Sequence, residues 1–358
     1  MPTEILQVIT DTDRRGAQVF ATDLHGALED RGHKVRTVAL VSGANPSLDV
    51  PALGARRLAP ATLRALRAEM RRARVVVAHG SSTLPACAVA SVGTGTPFAY
   101  RQISDSLFWA PTRLRRMRVR AGLARASKVV ALWSGAADTL HTHFGVPRER
   151  LAVIPNGIPP ERFPPVDRDH SVPARLALGL DPHRPTIAYV GALVPEKGVD
   201  LAIEAVALMP AAQLVVVGAG ADRSRLEALG ERVAPAQVVF AGSIADPALA
   251  FTAADVVVLP SRGGDSMPAV LIEAAFAGVP VVSTPVEGIP EIVLPNVTGL
   301  LVPGGSASAL AAAMERVVYT PGLAERLTTA AREHCMERFG IDRVAEQWDD
   351  VLAEIIAR

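Results

Sequence analysis

The 358-residue chain is 49% hydrophobic and 20% charged, with only 4% aromatic residues and 28 each of glycine and proline. That length exceeds what one hydrophobic core usually serves, so two domains are expected, and the composition excludes an intrinsically disordered chain. A formal net charge of +1 supplies no global field for holding nucleic acid, and two cysteines, Cys87 and Cys335, exclude a disulfide framework and fit a reducing, cytoplasmic setting.

In chain order, the segment ending at Ile9 has no basic leader and no long apolar run, and reads as a first strand. No stretch approaches 18 apolar residues, which excludes a spanning helix. Apolar runs at 5–9, 35–40, 74–78, 98–101, 129–133 and 151–154 alternate with helical patterns such as 17–31 and 61–73. Residues 158–185 then carry seven prolines among alternating charges, which marks a linker, and the domain boundary is placed at residue 165. The rhythm resumes with runs at 186–190, 213–217, 238–241, 256–259, 279–283 and 299–302, and helical patterns at 199–209, 223–232, 247–253, 269–277 and 307–318. Strands this apolar, alternating with helices, imply parallel sheets covered on both faces. The chain therefore divides into an α/β domain over 1–165, a second over 166–340, and a terminal helix over 341–358. That helix has an apolar face (Val344, Trp348, Val351, Ile355) to bury against one of them. Ligands of doubly wound domains bind in loops at the carboxyl ends of the strands, and this ranks the motifs.

The first motif is Leu259-Pro260-Ser261-Arg262-Gly263-Gly264-Asp265-Ser266-Met267-Pro268, a strand end and a glycine loop opening a helix near Pro268. Free amides at such a helix start favour an anion, and Glu273 lies on the helix in an otherwise apolar stretch where a bare carboxylate would be costly. The second is Gly191-Ala192-Leu193-Val194-Pro195-Glu196-Lys197-Gly198 after the strand at 186–190. Lys197 is one of three lysines in a chain that otherwise uses arginine, and a compact ammonium at a strand-to-helix junction suits a phosphate. The third is Asp11-Thr12-Asp13-Arg14-Arg15-Gly16-Ala17-Gln18, where Gly16 permits close backbone approach. Its two acids read as turn residues more readily than as cation ligands, and the glycine spacing is not a dinucleotide fingerprint. Gly218-Ala219-Gly220 after the strand at 213–217 would let a nucleobase or ribose near the backbone. His141 and His143 lack a third ligand and read as a helix surface. The arginines 113, 115, 116, 118, 120 and 125 leave three readings open: a solvated helix face, a site for an anionic acceptor, or peripheral contact of the Arg113–Arg125 segment with an anionic membrane.

Taken in order, Arg15-Gly16-Ala17-Gln18, Ile154-Pro155-Asn156-Gly157, Gly191 to Gly198, Gly218-Ala219-Gly220, the Asp265/Glu273 pair and Glu287-Gly288-Ile289-Pro290-Glu291 resemble retaining glycosyltransferases of the GT-B fold, family GT4. The resemblance spans almost the whole chain. It implies two Rossmann-like domains facing a central cleft, with the C-terminal helix crossing back to the N-terminal domain. It also implies a nucleoside-diphosphate sugar as donor, held mainly by the C-terminal domain, with no metal or other cofactor required. The acceptor, a glycan, a lipid-linked molecule or a small molecule, would lie on the N-terminal side, and the enzyme would work in the cytoplasm or at the inner face of the membrane. Carried onto this chain, it gives Lys197, Asp265 and Glu273 catalytic roles. Gly16, Gly191, Gly218, Gly220, Arg262, Ser266, Met267 and Pro268 become donor-binding residues, and His79, Arg101 and Asp105 become sugar-side residues. Three positions depart from the family pattern: Asp265 replaces a glutamate, Ala192 an arginine, and Arg101 a histidine. Arg262 and His79 are the stand-ins expected for the last two. The alternatives are a nucleotide-sugar epimerase of the same fold and a non-catalytic two-domain nucleotide or sugar binder.

Overall fold

In the computed structural model, which describes residues 3–103, 110, 112–244, 246–264 and 266–357, the first apolar runs become strands β1 (Glu4–Ile9), β2 (Lys34–Val41), β3 (Ala52–Gly54), β4 (Val75–His79), β5 (Phe98–Arg101), β6 (Lys128–Ala131) and β7 (Leu151–Val153). They form one parallel sheet in the order β3-β2-β1-β4-β5-β6-β7. Helices α1 (Gly16–Asp30), α2 (Pro60–Met70), α3 (Thr83–Ala90), α4 (Arg113–Arg125) and α5 (Ser134–Phe144) make the crossovers. Every residue of β4 is buried, as a central strand covered on both faces requires. The three-residue strand β3 and the apolar helix α3 are additions to the expected elements, and neither is long enough to show a clear period of its own.

The second unit begins with α6 (Ser171–Ala177), inside the proline-rich stretch expected to be a linker. Pro173 falls in the first turn, where its missing N–H costs no intrahelical bond. Arg175 fixes the helix by donating to the Ala253 carbonyl at 2.9 Å and to Asp255 Oδ2 at 2.8 Å. Strands β8 (Thr186–Val190), β9 (Gln213–Val217), β10 (Val238–Gly242), β11 (Val256–Leu259), β12 (Val281–Ser283) and β13 (Leu300–Leu301) pair in the parallel order β10-β9-β8-β11-β12-β13. Helices α7 (Val199–Ala207), α8 (Arg223–Val233), α9 (Ala248–Ala253), α10 (Ala269–Phe276), α11 (Ile289–Ile292), α12 (Ala307–Tyr319) and α13 (Leu323–Phe339) accompany them. Each sheet reverses its winding once, between β1 and β4 in the first and between β8 and β11 in the second.

By its contacts the chain forms one unit from Met1–Pro159 with Phe339–Arg358 and another from Pro160–Arg338. The last helix, α14 (Ile341–Ala357), belongs to the first unit, where Val344, Trp348, Leu352 and Ile355 join Phe20, Leu24 and Val77 in one core. Trp348 is fully buried. Gly157 explains the Asn-Gly signal at 156–157, because a Cβ there would stand 2.8 Å from the Val344 side chain. The bare backbone lets the end of the first pass lie against α14.

Candidate active site

In doubly wound sheets the crevice opens where the winding reverses, at the carboxyl ends of the two strands concerned. In the second unit those strands are β8 and β11, and the loops that follow them are 191–198 and 260–268. The Arg262 amide donates to the Glu196 carbonyl at 2.7 Å, which ties the two loops together. On the β9 side, the Leu193 amide donates to the Ala219 carbonyl at 2.9 Å. A Cβ on Gly218 would lie 1.8 Å from the Gly191 oxygen, and one on Gly220 would lie 2.1 Å from the Leu193 oxygen. The glycines at 218 and 220 are therefore demanded by backbone packing against the 191–193 strand end. Beyond β12, Glu287 accepts from the Gly264 amide at 2.6 Å and from Ser266 Oγ at 3.2 Å, and the Gly288 amide donates to the Ser266 carbonyl at 3.0 Å. Glu287 holds a positive φ of 47°, an uncommon conformation for a non-glycine residue. Four strand-end loops are thus knit into one layer.

Lys197 lies in this layer, half-buried, at the end of the single 3₁₀ turn Pro195–Lys197. Ser266, Met267 and Pro268 are buried just ahead of α10, which starts at Ala269 with Pro268 still extended at its N-cap. Glu273 is half-buried on α10 between the buried Ile272 and Ala274. Arg262, expected to compensate for Ala192, spends its guanidinium on both carboxylate oxygens of Asp200 (2.7 and 3.0 Å) and on the Pro195 carbonyl. It clamps the loop to α7, and a phosphate would have to compete with that bidentate pair. Asp265 lies outside the described residues.

In the first unit the reversal falls between β1 and β4, and a cavity of about 260 Å³ occupies it, lined by Arg15, Gln18, Arg57, His79, Ser81 and Ser82 among others. Gly16 opens α1 beside it, and a Cβ there would meet nothing within 4 Å. Asp11 is buried beneath this loop, where Arg15 donates to its Oδ2, Gln18 Nε2 to its Oδ1 at 2.9 Å, and Arg57 approaches Oδ2 at 3.4 Å. Burial pushes the Asp11 carboxyl pKa up, but the contacts from Arg15 and Gln18 outweigh it and hold it below the usual range. Asp13 is spent on the Asn45 amide at 2.8 Å. Among the described residues no cluster of three or more metal-ligating side chains forms.

His79 lines the cavity and is 2% exposed. Gln7 donates through Nε2 to the Ala21 carbonyl, so its Oε1 accepts from His79 Nε2 at 2.9 Å and leaves Nδ1 as the lone-pair nitrogen. Burial, and then the charge of Arg101, drive the His79 pKa well below its ordinary value, and the ring is neutral at pH 7. Arg101, expected on the sugar side, is placed elsewhere. It pairs with His79 across the β4–β5 ladder but is 0% exposed, with its guanidinium carbon 3.7 Å from the centre of the Phe20 ring and an Nη donating to Asn156 Oδ1. Burial pulls its pKa down to about 9. It is a buried cation under α1 and α14 and is not among the residues that line the cavity. Asp105 lies outside the described residues. Arg15 and Arg57 are the charged residues of the cavity wall: Arg15 lay in the third motif without a role of its own, and no motif reached Arg57. The Asp11/Arg15 spacing of four was the available signal for the first, and nothing local marks the second.

Comparison with known proteins agrees with this architecture. Residues 174–334 match the family model described as glycosyl transferases group 1, and residues 14–162 match that of glycosyltransferase family 4. A protein of Streptomyces bingchenggensis named D-inositol 3-phosphate glycosyltransferase is 34% identical over 245 residues, covering 64% of this chain and 53% of that protein. One of the same name from Actinosynnema mirum is 33% identical over 253 residues, covering 65% and 59%. The chain thus spans between half and three fifths of these relatives' length. Among solved structures, Anabaena Alr3699/HepE in complex with UDP and glucose superimposes with a TM-score of 0.86 at 22% identity, covering 98% of this chain and 99% of that one. Sucrose-phosphate synthase from Thermosynechococcus elongatus gives 0.86 at 23%, covering 99% of each. The chain has the GT-B fold, and each of its two units carries a glycosyltransferase family match.

Proposed function

We propose that the protein transfers a sugar from a nucleoside-diphosphate sugar to an acceptor, with retention of anomeric configuration. The observation that carries this reading is that Lys197, the approach to α10 and the Gly16 loop each sit where the winding of their own sheet reverses. The barrier in sugar transfer lies in expelling a diphosphate from the anomeric carbon, and preorganised positive charge at the departing phosphate is usually the largest single contribution to catalysis. Lys197 supplies a full charge, and the free amides at the start of α10, in the same unit, supply partial ones. Glu273 is assigned to the ribose hydroxyls and Asp265 to hydroxyls of the donor sugar. Gly191, Gly218 and Gly220 shape the floor on which the nucleoside lies. No step is assigned to a protein nucleophile or a metal.

UDP is the nucleotide in the Anabaena complex, which makes UDP-sugars the first donors to try, and the relatives' name makes D-inositol 3-phosphate the first acceptor. Helix α4 exposes Leu114 (58%) and Met117 (65%) among its arginines, which favours contact with an anionic membrane surface over a merely solvated face. No helix among the described residues is long and apolar enough to cross a membrane. The test is Lys197→Ala, read as UDP release from a UDP-sugar in the presence of acceptor. Turnover should fall by roughly 10²–10³, the range for losing one transition-state charge donor. A wild-type rate would remove Lys197 from the reaction.

A further inference from the structure

The cavity of about 260 Å³ in the first unit has two half-exposed guanidiniums on its wall and a buried carboxylate behind them. Asp11 has a side chain only 4% exposed, whereas those of Arg15 and Arg57 are 57% and 48% exposed. Both arginines turn one Nη toward Asp11 Oδ2, and Arg57 gives the other Nη to Ser82 Oγ at 3.1 Å. Each guanidinium has five N–H donors, so both keep donors in reserve while being held in place from below. Asp13 is the other acid near Arg15, at 3.9 Å, too long for a hydrogen bond. Arg57 has no carboxylate partner but the shared Asp11 among the described ion pairs. The remaining wall is uncharged, polar at Thr10, Gln18, Ser81 and Ser82 and apolar at Ile9, Ala17 and Ile103. Gln18, Ser81 and Ser82 supply hydroxyl and amide groups, and the neutral His79 holds a buried Nδ1 with no hydrogen-bond partner.

We propose that this cavity binds the phosphate of a small phosphorylated acceptor, with Arg57 and Arg15 as its anion-binding residues. Planar guanidiniums fixed by a carboxylate are suited to a phosphate dianion, since their forks match its oxygens without further ordering. The volume lies below the roughly 300–1,000 Å³ of pockets for drug-sized ligands, which suits a single polyol or sugar ring and is too small for a nucleoside diphosphate. The word acceptor rests on the transfer reading above, but the phosphate site stands on the cavity alone.

The test is calorimetric titration of the full chain with D-inositol 3-phosphate, unphosphorylated inositol and UDP, using the wild type, Arg57→Gln and Arg57→Lys. The wild type should bind the phosphorylated polyol at least tenfold more tightly than the bare one. Arg57→Gln should abolish that ratio while leaving UDP affinity within about twofold, and Arg57→Lys should restore part of it. Should Arg57→Gln not fold, Ser82→Ala, which frees one guanidinium nitrogen and keeps the charge, should weaken the phosphorylated polyol alone by a few-fold. Equal affinity for the two polyols in the wild type overturns the site, as does a loss of UDP affinity in Arg57→Gln matching the loss of polyol phosphate. Arg57-dependent binding without any sugar transfer supports the site and defeats the transfer reading. Transfer to D-inositol 3-phosphate at the wild-type rate in Arg57→Gln, at sub-saturating acceptor, does the reverse.

Discussion

Both units carry glycines in strand-end loops near the reversal of winding, after β1 in the first and after β9, the neighbour of β8, in the second, but for opposite physical reasons. In the second unit Gly218 and Gly220 are pressed against the backbone of 191–193, where a Cβ would stand 1.8 and 2.1 Å from carbonyl oxygens. In the first unit Gly16 begins α1 with no positive φ and open space where its Cβ would be. The second set is required by the chain itself. The packing of the first unit gives no reason for glycine at 16, and the proposed reading assigns the open space to a ligand. A glycine loop at a strand end is thus two signals in one letter, and only the neighbours separate them.

The sharpest way to break this comparison is Gly218→Ala. The added methyl would collide with a backbone oxygen at a φ of +141°, which side chains rarely adopt. A loss of about 3 kcal/mol or more in denaturant unfolding is expected, at the severe end for a single substitution. A variant as stable as the wild type would mean that the β8 and β9 loops are not packed as described.

A smaller effect belongs to the first unit, whose site floor contains a buried titratable group. His79 is neutral when folded because burial and Arg101 depress its pKa, whereas the unfolded chain takes up a proton near pH 6.5. Below that pH the unfolded state binds a proton that the folded state refuses. Stability is therefore fully present above about pH 6.5 and falls on acidification, with a slope approaching about 1.4 kcal/mol per pH unit. Denaturant midpoints at pH 7.0, 6.5, 6.0 and 5.5 should show the fall in the wild type and a flatter profile in His79→Gln. Identical profiles would place His79 in contact with water.

Least visible in stability is Gly16→Ala. With open space and no positive φ, unfolding free energy should change by no more than about 0.5 kcal/mol, in the stabilising direction if at all. Turnover should nevertheless drop at least tenfold as the methyl enters the ligand's path. Unchanged turnover would end the distinction between the two sets of glycines.

Much of the fold was legible because buried parallel strands must be apolar and their crossovers helical. The runs at 186–190, 213–217 and 256–259 coincide with β8, β9 and β11. Where the chain breaks that rule, reading failed: β3 is too short to alternate, and α6 hides in a proline-rich stretch because Pro173 occupies its first turn. The site divides in the same way. Lys197 stood out through its rarity and its place after a strand. Arg101 falls outside the cavity lining, which its strand-end position alone did not reveal. It shares the face of Ala99 and Val77, under α1 and α14, rather than that of Phe98 and Tyr100. Arg57 was invisible because its approach to Asp11 depends on β3 folding beside β2 at the edge of the sheet, a contact 46 residues apart in sequence.

The central claim, that a nucleoside-diphosphate sugar is this chain's ligand, is tested most directly by unfolding the wild type across a titration of UDP-glucose, with GDP- and ADP-glucose as parallel series. A ligand bound only by the folded state stabilises it by about 2.7 kcal/mol at a hundred times its dissociation constant. The account predicts a saturable rise of that kind with one donor series, retained in Arg57→Gln and weakened in Lys197→Ala. Superimposable unfolding curves at every concentration of all three would contradict it.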